Sequence, residues 1–238
     1  MTPPIEGPRA RFREQTRGEI KEIALRQLAD GGTGAIALTR IAKDLGMSGP
    51  ALYRYFAGRD DLISALIRDA YDDLATAVGH AAEACPAGRS PRERLRALAG
   101  AYRSWAVESP HRYLLIAGTP LPGYTAPADT LLRARAALGP FLKVFAGGDP
   151  NPATLPMVRQ MDAWAQREAE VAAWVARELG TADGDDAGRA LAGAVLAWSQ
   201  MHGAVSLEVA SQFSGMGHDP LTLLEAGLDA LADAFQLS

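Results

Sequence analysis

Apolar residues recur at helical spacing along this chain, and no strand-length segment alternates between apolar and polar. Ile20, Ile23, Ala24 and Leu28 predict a first helix that ends at Gly31-Gly32. Leu38, Ile41, Ala42 and Leu45 predict a second, short one. Gly46 follows its last periodic residue, where a left-handed backbone closes a helix at little steric cost. Ser48 is placed to cap a third helix through its side-chain oxygen, with Pro50 in the first turn and Leu52 and Phe56 facing inward. Gly58 and the acids Asp60 and Asp61 restart a helix that runs to residue 84 on Leu62, Leu66, Ala70, Leu74 and Val78.

Cys85-Pro86-Ala87-Gly88 breaks that helix, and Ser90-Pro91-Arg92-Glu93 opens the next with a capping box. It continues through Leu95, Leu98, Tyr102 and Trp105 to about Glu108. A short apolar helix over 110–117 leads into a Gly/Pro-rich loop, residues 118–127. A helix over 128–145 carries Pro140, which is expected to kink it. Residues 147–156 read as a mobile connection, 157–179 as a helix with a central break ending at Gly180, and 181–186 as an acidic loop. Two long apolar helices close the chain, 187–213 and 220–236. Thr2 to Pro8 is Pro-rich without periodicity and is expected to be disordered. The fold class is all-α.

Composition narrows the picture in three respects. No apolar run approaches the roughly 18 residues that span a bilayer, and residues 1–14 hold no apolar segment, so no secretory leader and no membrane contact are expected. Cys85 is the single cysteine, which leaves no disulfide framework within one chain and fits a cytoplasmic protein. The net charge of −4 is unevenly spread. Residues 1–62 hold ten Lys and Arg against eight Asp and Glu, leaving fourteen against twenty for the remainder. A mildly basic end and an acidic body suit a chain that meets phosphate at one end only.

That basic end carries two short helices, a glycine turn and a polar outer face, the description of a helix-turn-helix. Ser48, Gly49 and Ala51 keep the tip of the third helix narrow enough to approach a major groove. Arg54 joins these three as a base contact, while Tyr53 and Tyr55 offer hydroxyls to phosphate. Thr39 and Arg59 are further phosphate candidates, and Arg9 and Arg11, with Arg13 and Arg17, form a basic arm at the first helix. Basic residues there oppose the helix dipole, which favours a DNA-facing role over a solvated helix start.

The same run resembles the DNA-binding domain of the tetracycline-repressor (TetR/AcrR) family. Thr39, Ala42, Gly46, Met47, Ser48, Pro50, Ala51, Leu52, Tyr53, Tyr55, Phe56, Arg59, Asp60, Asp61 and Leu62 match its pattern as they stand, and Gly58 replaces a usual serine. Trp198-Ser199-Gln200-Met201-His202-Gly203 resembles the W-x-x-x-H-G signature of the family's WHG-type C-terminal domain. Ser109-Pro110-His111-Arg112-Tyr113 resembles a second element of that subgroup. The resemblance implies a DNA-binding domain over 1–62 and a helical ligand-binding and dimerisation domain over 63–238. It also implies a repressor acting as a homodimer on a palindromic double-stranded operator and answering to a small-molecule effector.

The last two helices, about 187–236, hold more apolar surface than one chain covers, and are the expected dimer face. Aromatic walls at Tyr102, Trp105, Tyr113 and Trp164, with His202 at the signature, predict a hydrophobic or aromatic effector. His80, His111, His202 and His218 form no i, i+4 pair or Cys/His cluster, so no metal is expected. Without a phosphate-binding glycine loop, a nucleophile elbow or an H-E-x-x-H run, no cofactor and no catalytic residue are expected. The competing reading is a helical small-molecule-binding protein or enzyme that keeps an unused helix-turn-helix scaffold.

Overall fold

A computed structural model describes residues 7–86, 88–118, 123–181 and 186–238. The helices are α1 (Pro8–Gly31), α2 (Leu38–Asp44), α3 (Gly49–Leu52), α4 (Arg59–Ala84), α5 (Pro91–Glu108), α6 (Pro110–Ala117), α7 (Asp129–Phe145), α8 (Leu155–Arg167), α9 (Ala169–Leu179), α10 (Ala187–Val209) and α11 (Pro220–Ala234). Among the described residues there is no strand. Thr2–Glu6, most of the stretch expected to be disordered, lie outside the described residues, as do 119–122 of the Gly/Pro loop and 182–185 of the acidic loop. Pro8 and the arginines after it are already helical.

The chain forms two compact units: residues up to Ala70 with His111–Pro127, and Tyr71–Pro110 with Ala128–Ser238. Helix α4 supplies residues to both, and α6 belongs to the first.

In the first unit, Ile20, Ile23, Ala24 and Leu28 of α1 are buried with Ile41, Ala42, Leu52, Phe56 and Leu62. Gln27 is buried as well, and its Oε1 accepts a hydrogen bond from the Ala37 backbone N–H at 2.9 Å, fixing the entry to α2. Lys21 pairs with Asp69 at 2.7 Å, tying α1 to α4. Asp61 reaches back to accept from the Ala57 N–H at 2.8 Å, so this acid supplies the cap that Gly58 lacks.

In the second unit, α10 is the central helix. Leu191, Met201 and Val205 are buried, with Phe141, Leu142 and Phe145 of α7 and Leu224, Leu228 and Phe235 from α11 and its end. Phe145 and Phe235 meet edge to face, ring centres 5.0 Å apart. The capping box forms as expected: Ser90 accepts from the Glu93 N–H at 3.3 Å and Glu93 accepts from the Ser90 N–H at 3.0 Å. Helix α5 is tied outward by Arg92 to Asp233, by Arg96 to Asp229 and by Arg103 to Glu208.

Two local expectations change. Residues 147–156 are held rather than mobile: the Asp149 and Asn151 N–H groups donate to the Phe235 and Ala234 carbonyls, each at 2.8 Å. Asn151 Oδ1 then accepts from the Ala153 and Thr154 N–H groups at 3.1 Å and starts α8 early, at Leu155. The break expected within 157–179 falls at Glu168, and Gly180 ends α9 in the left-handed conformation.

Candidate nucleic-acid interface

The glycine turn between α2 and α3 is built as its sequence requires. Gly46 has φ +64° and donates to the Lys43 carbonyl at 3.1 Å, while the Met47 N–H donates to the Ala42 carbonyl at 2.8 Å. These paired bonds satisfy the end of α2 and turn the chain sharply. Ser48 then takes the extended backbone of an N-cap, but its hydroxyl makes no capping bond, which corrects the expectation of a side-chain cap. The hydroxyl stays exposed. Helix α3 is only Gly49–Leu52, and Tyr53 to Tyr55 continue it as a turn. The inward stripe is as expected: Leu52 and Phe56 are fully buried.

Outward, Thr39, Ser48, Tyr53 and Arg54 are exposed, and Gly49, Ala51 and Tyr55 are half-buried. A Cβ on Gly49 would meet nothing within 4 Å, so no packing inside the chain demands a glycine there. The missing side chain leaves space only on the outer face, where a groove would come. Arg9 and Arg11 are exposed in the first turn of α1, which holds no acid. Arg40 and Lys43 of α2 are also exposed. Neither stands out in the sequence, because an exposed cation at helical spacing reads equally as a solvated face.

Arg59 stands differently from the other candidates. Its Nη2 donates to the Thr33 carbonyl at 2.6 Å, so part of its fork is committed inside the unit. Arg13 and Arg17 likewise turn to the protein, donating to the Arg54 and Tyr55 carbonyls.

The five residues expected to wall an effector site fall on four helices. Tyr102 and Trp105 are buried in α5, and Tyr113 of α6 is fully buried in the first unit. Trp164 lines a shallow hollow on α8 beside Arg159 and Arg167, and His202 stacks on Trp198 with ring centres 5.7 Å apart. A larger cleft of about 810 Å³ lies elsewhere in the second unit, among α8, α9 and the start of α10. Ala165, Ala172, Ala173, Val175, Ala176 and Leu179 form its apolar wall, and Arg159, Asp162, Gln166 and Arg189 its polar one. Gly188 lets α10 press onto α8 at this cleft, since a Cβ there would lie 2.8 Å from the Val158 carbonyl oxygen. Alanines carry no sequence signal that separates a cleft wall from helix packing, so the apolar wall of this cleft is not legible in the sequence.

On α10 and α11, Trp198, Leu207 and Leu223 are each more than two-fifths exposed. Among the described residues, no group of His, Cys, Asp and Glu is placed to hold a metal ion, and no helix is long and apolar enough to cross a membrane.

The family model for bacterial regulatory proteins of the tetR family matches residues 20–66, and that for the tetracyclin repressor-like C-terminal domain matches residues 95–231. The HTH-type transcriptional regulator Rv1816 of Mycobacterium tuberculosis is 38% identical over 217 residues, covering 91% of this chain and 88% of the relative. The crystal structure of the regulatory protein SCO4313 is 42% identical with a TM-score of 0.77, covering 95% of this chain and all of that one. The TetR family transcriptional regulator PfmR from Thermus thermophilus shares the fold, with a TM-score of 0.52 at 17% identity over 89% of this chain and 96% of its own.

Proposed function

The chain belongs to the tetR family of bacterial regulatory proteins and is a DNA-binding transcriptional regulator; from that premise we propose that it is a homodimeric, effector-responsive repressor of a palindromic operator. Dimers and a response to ligand are typical of the family. In this reading DNA is read by residues 1–62, and residues 63–238 dimerise and take the effector. Each subunit places the tip of α3 in a major groove, with Ser48, Gly49, Ala51 and Arg54 toward the bases. Arg9, Arg11, Thr39, Tyr53, Tyr55 and Arg59 meet phosphates, which set position without reading sequence. Two-fold symmetry then separates the half-sites by about one helical turn, on the order of 34–36 Å, or a multiple.

The observation that carries this reading is the outer face of α3. It is polar and bare at Gly49, while Leu52 and Phe56 beneath it are fully buried. The exposed Trp198, Leu207 and Leu223 support dimerisation through α10 and α11. The cleft among α8, α9 and α10 supports an effector with a hydrophobic or aromatic body, because its volume lies within the range of small-molecule sites and much of its wall is apolar. An effector acts only by favouring the state whose recognition helices are wrongly spaced. The reading also makes the protein cytoplasmic and free of catalysis.

The test is a fluorescence-anisotropy titration of a duplex that the protein selects from a randomised library, across a salt series. Binding by two subunits per site, weakening steeply with salt, is the expected result. Failure to select any duplex would instead favour a helical ligand-binding protein with an unused helix-turn-helix. The same titration then screens compounds for release.

A further inference from the structure

Helix α3 is four residues long, too short to hold a direction of its own. Chain that turns away after so short a helix leaves carbonyls without a local donor. Two of them are met from α1. Arg13 Nη2 donates to the Arg54 carbonyl at 3.4 Å, and Arg17 Nη1 donates to the Tyr55 carbonyl at 2.5 Å. The Arg17 guanidinium also lies over the ring of Phe56, its Cζ 4.3 Å from the ring centre. Phe56 is the fully buried residue that anchors this segment to the core. Arg17 therefore grips the end of the recognition segment at two points, one polar and one aromatic. Its own neighbour Glu14 is only at 4.0 Å and does not compete for the Nη1 donor.

We propose that Arg17, assisted by Arg13, is a positioning residue for DNA recognition. From α1 it sets the angle at which α3 presents Ser48 to Arg54, and it binds no phosphate itself. This role rests on the reading of α3 as the base-reading element. Arg9, Arg13 and Arg17 share one face of α1 at i, i+4 spacing, so the basic arm divides its work. Half-buried Arg17 and exposed Arg13 hold the recognition segment, and Arg9, also exposed, is left for DNA. Only arginine suits position 17. Its planar fork donates to a carbonyl while its face stacks on a ring, and a lysine cannot do both.

The experiment compares wild type with Arg17→Lys and Arg9→Gln. Each is titrated with the selected duplex and with a random duplex over a salt series, melted thermally, and followed by hydrogen exchange at residues 53–56. For Arg17→Lys, affinity for the selected duplex falls roughly tenfold, the size expected for losing a charge-assisted hydrogen bond. Its random-duplex affinity and salt slopes stay at wild-type values, its melting midpoint falls by no more than a few degrees, and exchange quickens at 53–56. Arg9→Gln weakens both duplexes alike and shortens the salt slope by about one. The proposal is overturned if Arg17→Lys binds the selected duplex as wild type does, if it weakens both duplexes equally, or if exchange at 53–56 is unchanged. The exchange measurement needs no DNA, so it separates failure of the positioning role from failure of the operator reading.

Discussion

Arg59 donates from Nη2 to the Thr33 carbonyl at 2.6 Å, fastening the turn after α1 to the start of α4. The carbonyl takes one of the five N–H donors of the guanidinium. With the side chain 42% exposed, the bond is worth about 1 kcal/mol, below the usual value for a buried charge-assisted one. Arg59→Ala should therefore lower the melting midpoint by a few degrees and, with the other N–H donors able to meet a phosphate, shorten the salt slope of DNA binding by about one. An unchanged slope would remove Arg59 from the phosphate contacts.

Gly193 sits against Phe145. A Cβ on Gly193 would fall 2.1 Å from the ring's Cγ and 2.5 Å from its Cβ. Alanine in mid-helix gains about 1 kcal/mol over glycine in propensity. The clash is with the root of the ring, which cannot swing away, so helix α10 itself must shift. Overpacking of that kind costs about 1–3 kcal/mol, and here the upper end applies. Gly193→Ala should lose about 2 kcal/mol net in urea unfolding, and a gain in stability would show that α7 and α10 are less closely packed.

Contacts between residues far apart in the chain mark where the sequence stops being readable. The capping box at Ser90 and Glu93 and the left-handed Gly46 were legible because each is complete within a few residues. The Arg17 bond to Tyr55 spans 38 residues, and the Asp149 bond to Phe235 spans 86. Local pattern carries no trace of either, so the arginines read only as a basic arm and residues 147–156 as a mobile loop. The outward set at α3 was legible because Leu52 and Phe56 identify the inner face. The cleft proposed for an effector was not. Buried Tyr102 and Trp105 show that aromatics at helical spacing give one signal for both core and pocket.

Dimerisation through α10 and α11 predicts that charge on their exposed apolar side chains is ruinous. Leu207→Glu and Leu223→Glu should each weaken self-association by at least roughly tenfold in sedimentation velocity, since a buried unpaired charge costs more than the lost contact. Helix content should be unchanged. A dimer that survives both substitutions uses another face.

Acid should loosen the second unit at a definite place. The Arg96 hydrogen bonds, then the charges of Arg96 and Arg92, hold the Asp229 carboxyl below the usual aspartate range. A depressed folded value means that this contribution is complete above the ordinary aspartate pKa and is lost as pH falls through the lowered one. Asp229→Asn should be less stable than wild type at neutral pH, and the gap should close in acid. A gap in urea midpoint that is constant with pH would show that the Arg96 pair contributes nothing.

Sequence reading by α3 is tested most directly by a ratio. Dissociation constants for the selected and the random duplex are compared at one fixed physiological salt, for wild type and for Arg54→Ala. The wild-type ratio is expected to reach on the order of 10³ or more. Arg54→Ala should cut it by roughly tenfold or more, with the loss confined to one base position in each half-site. A wild-type ratio near one, or an Arg54→Ala ratio equal to wild type, would contradict the assignment of α3 and Arg54 to base recognition.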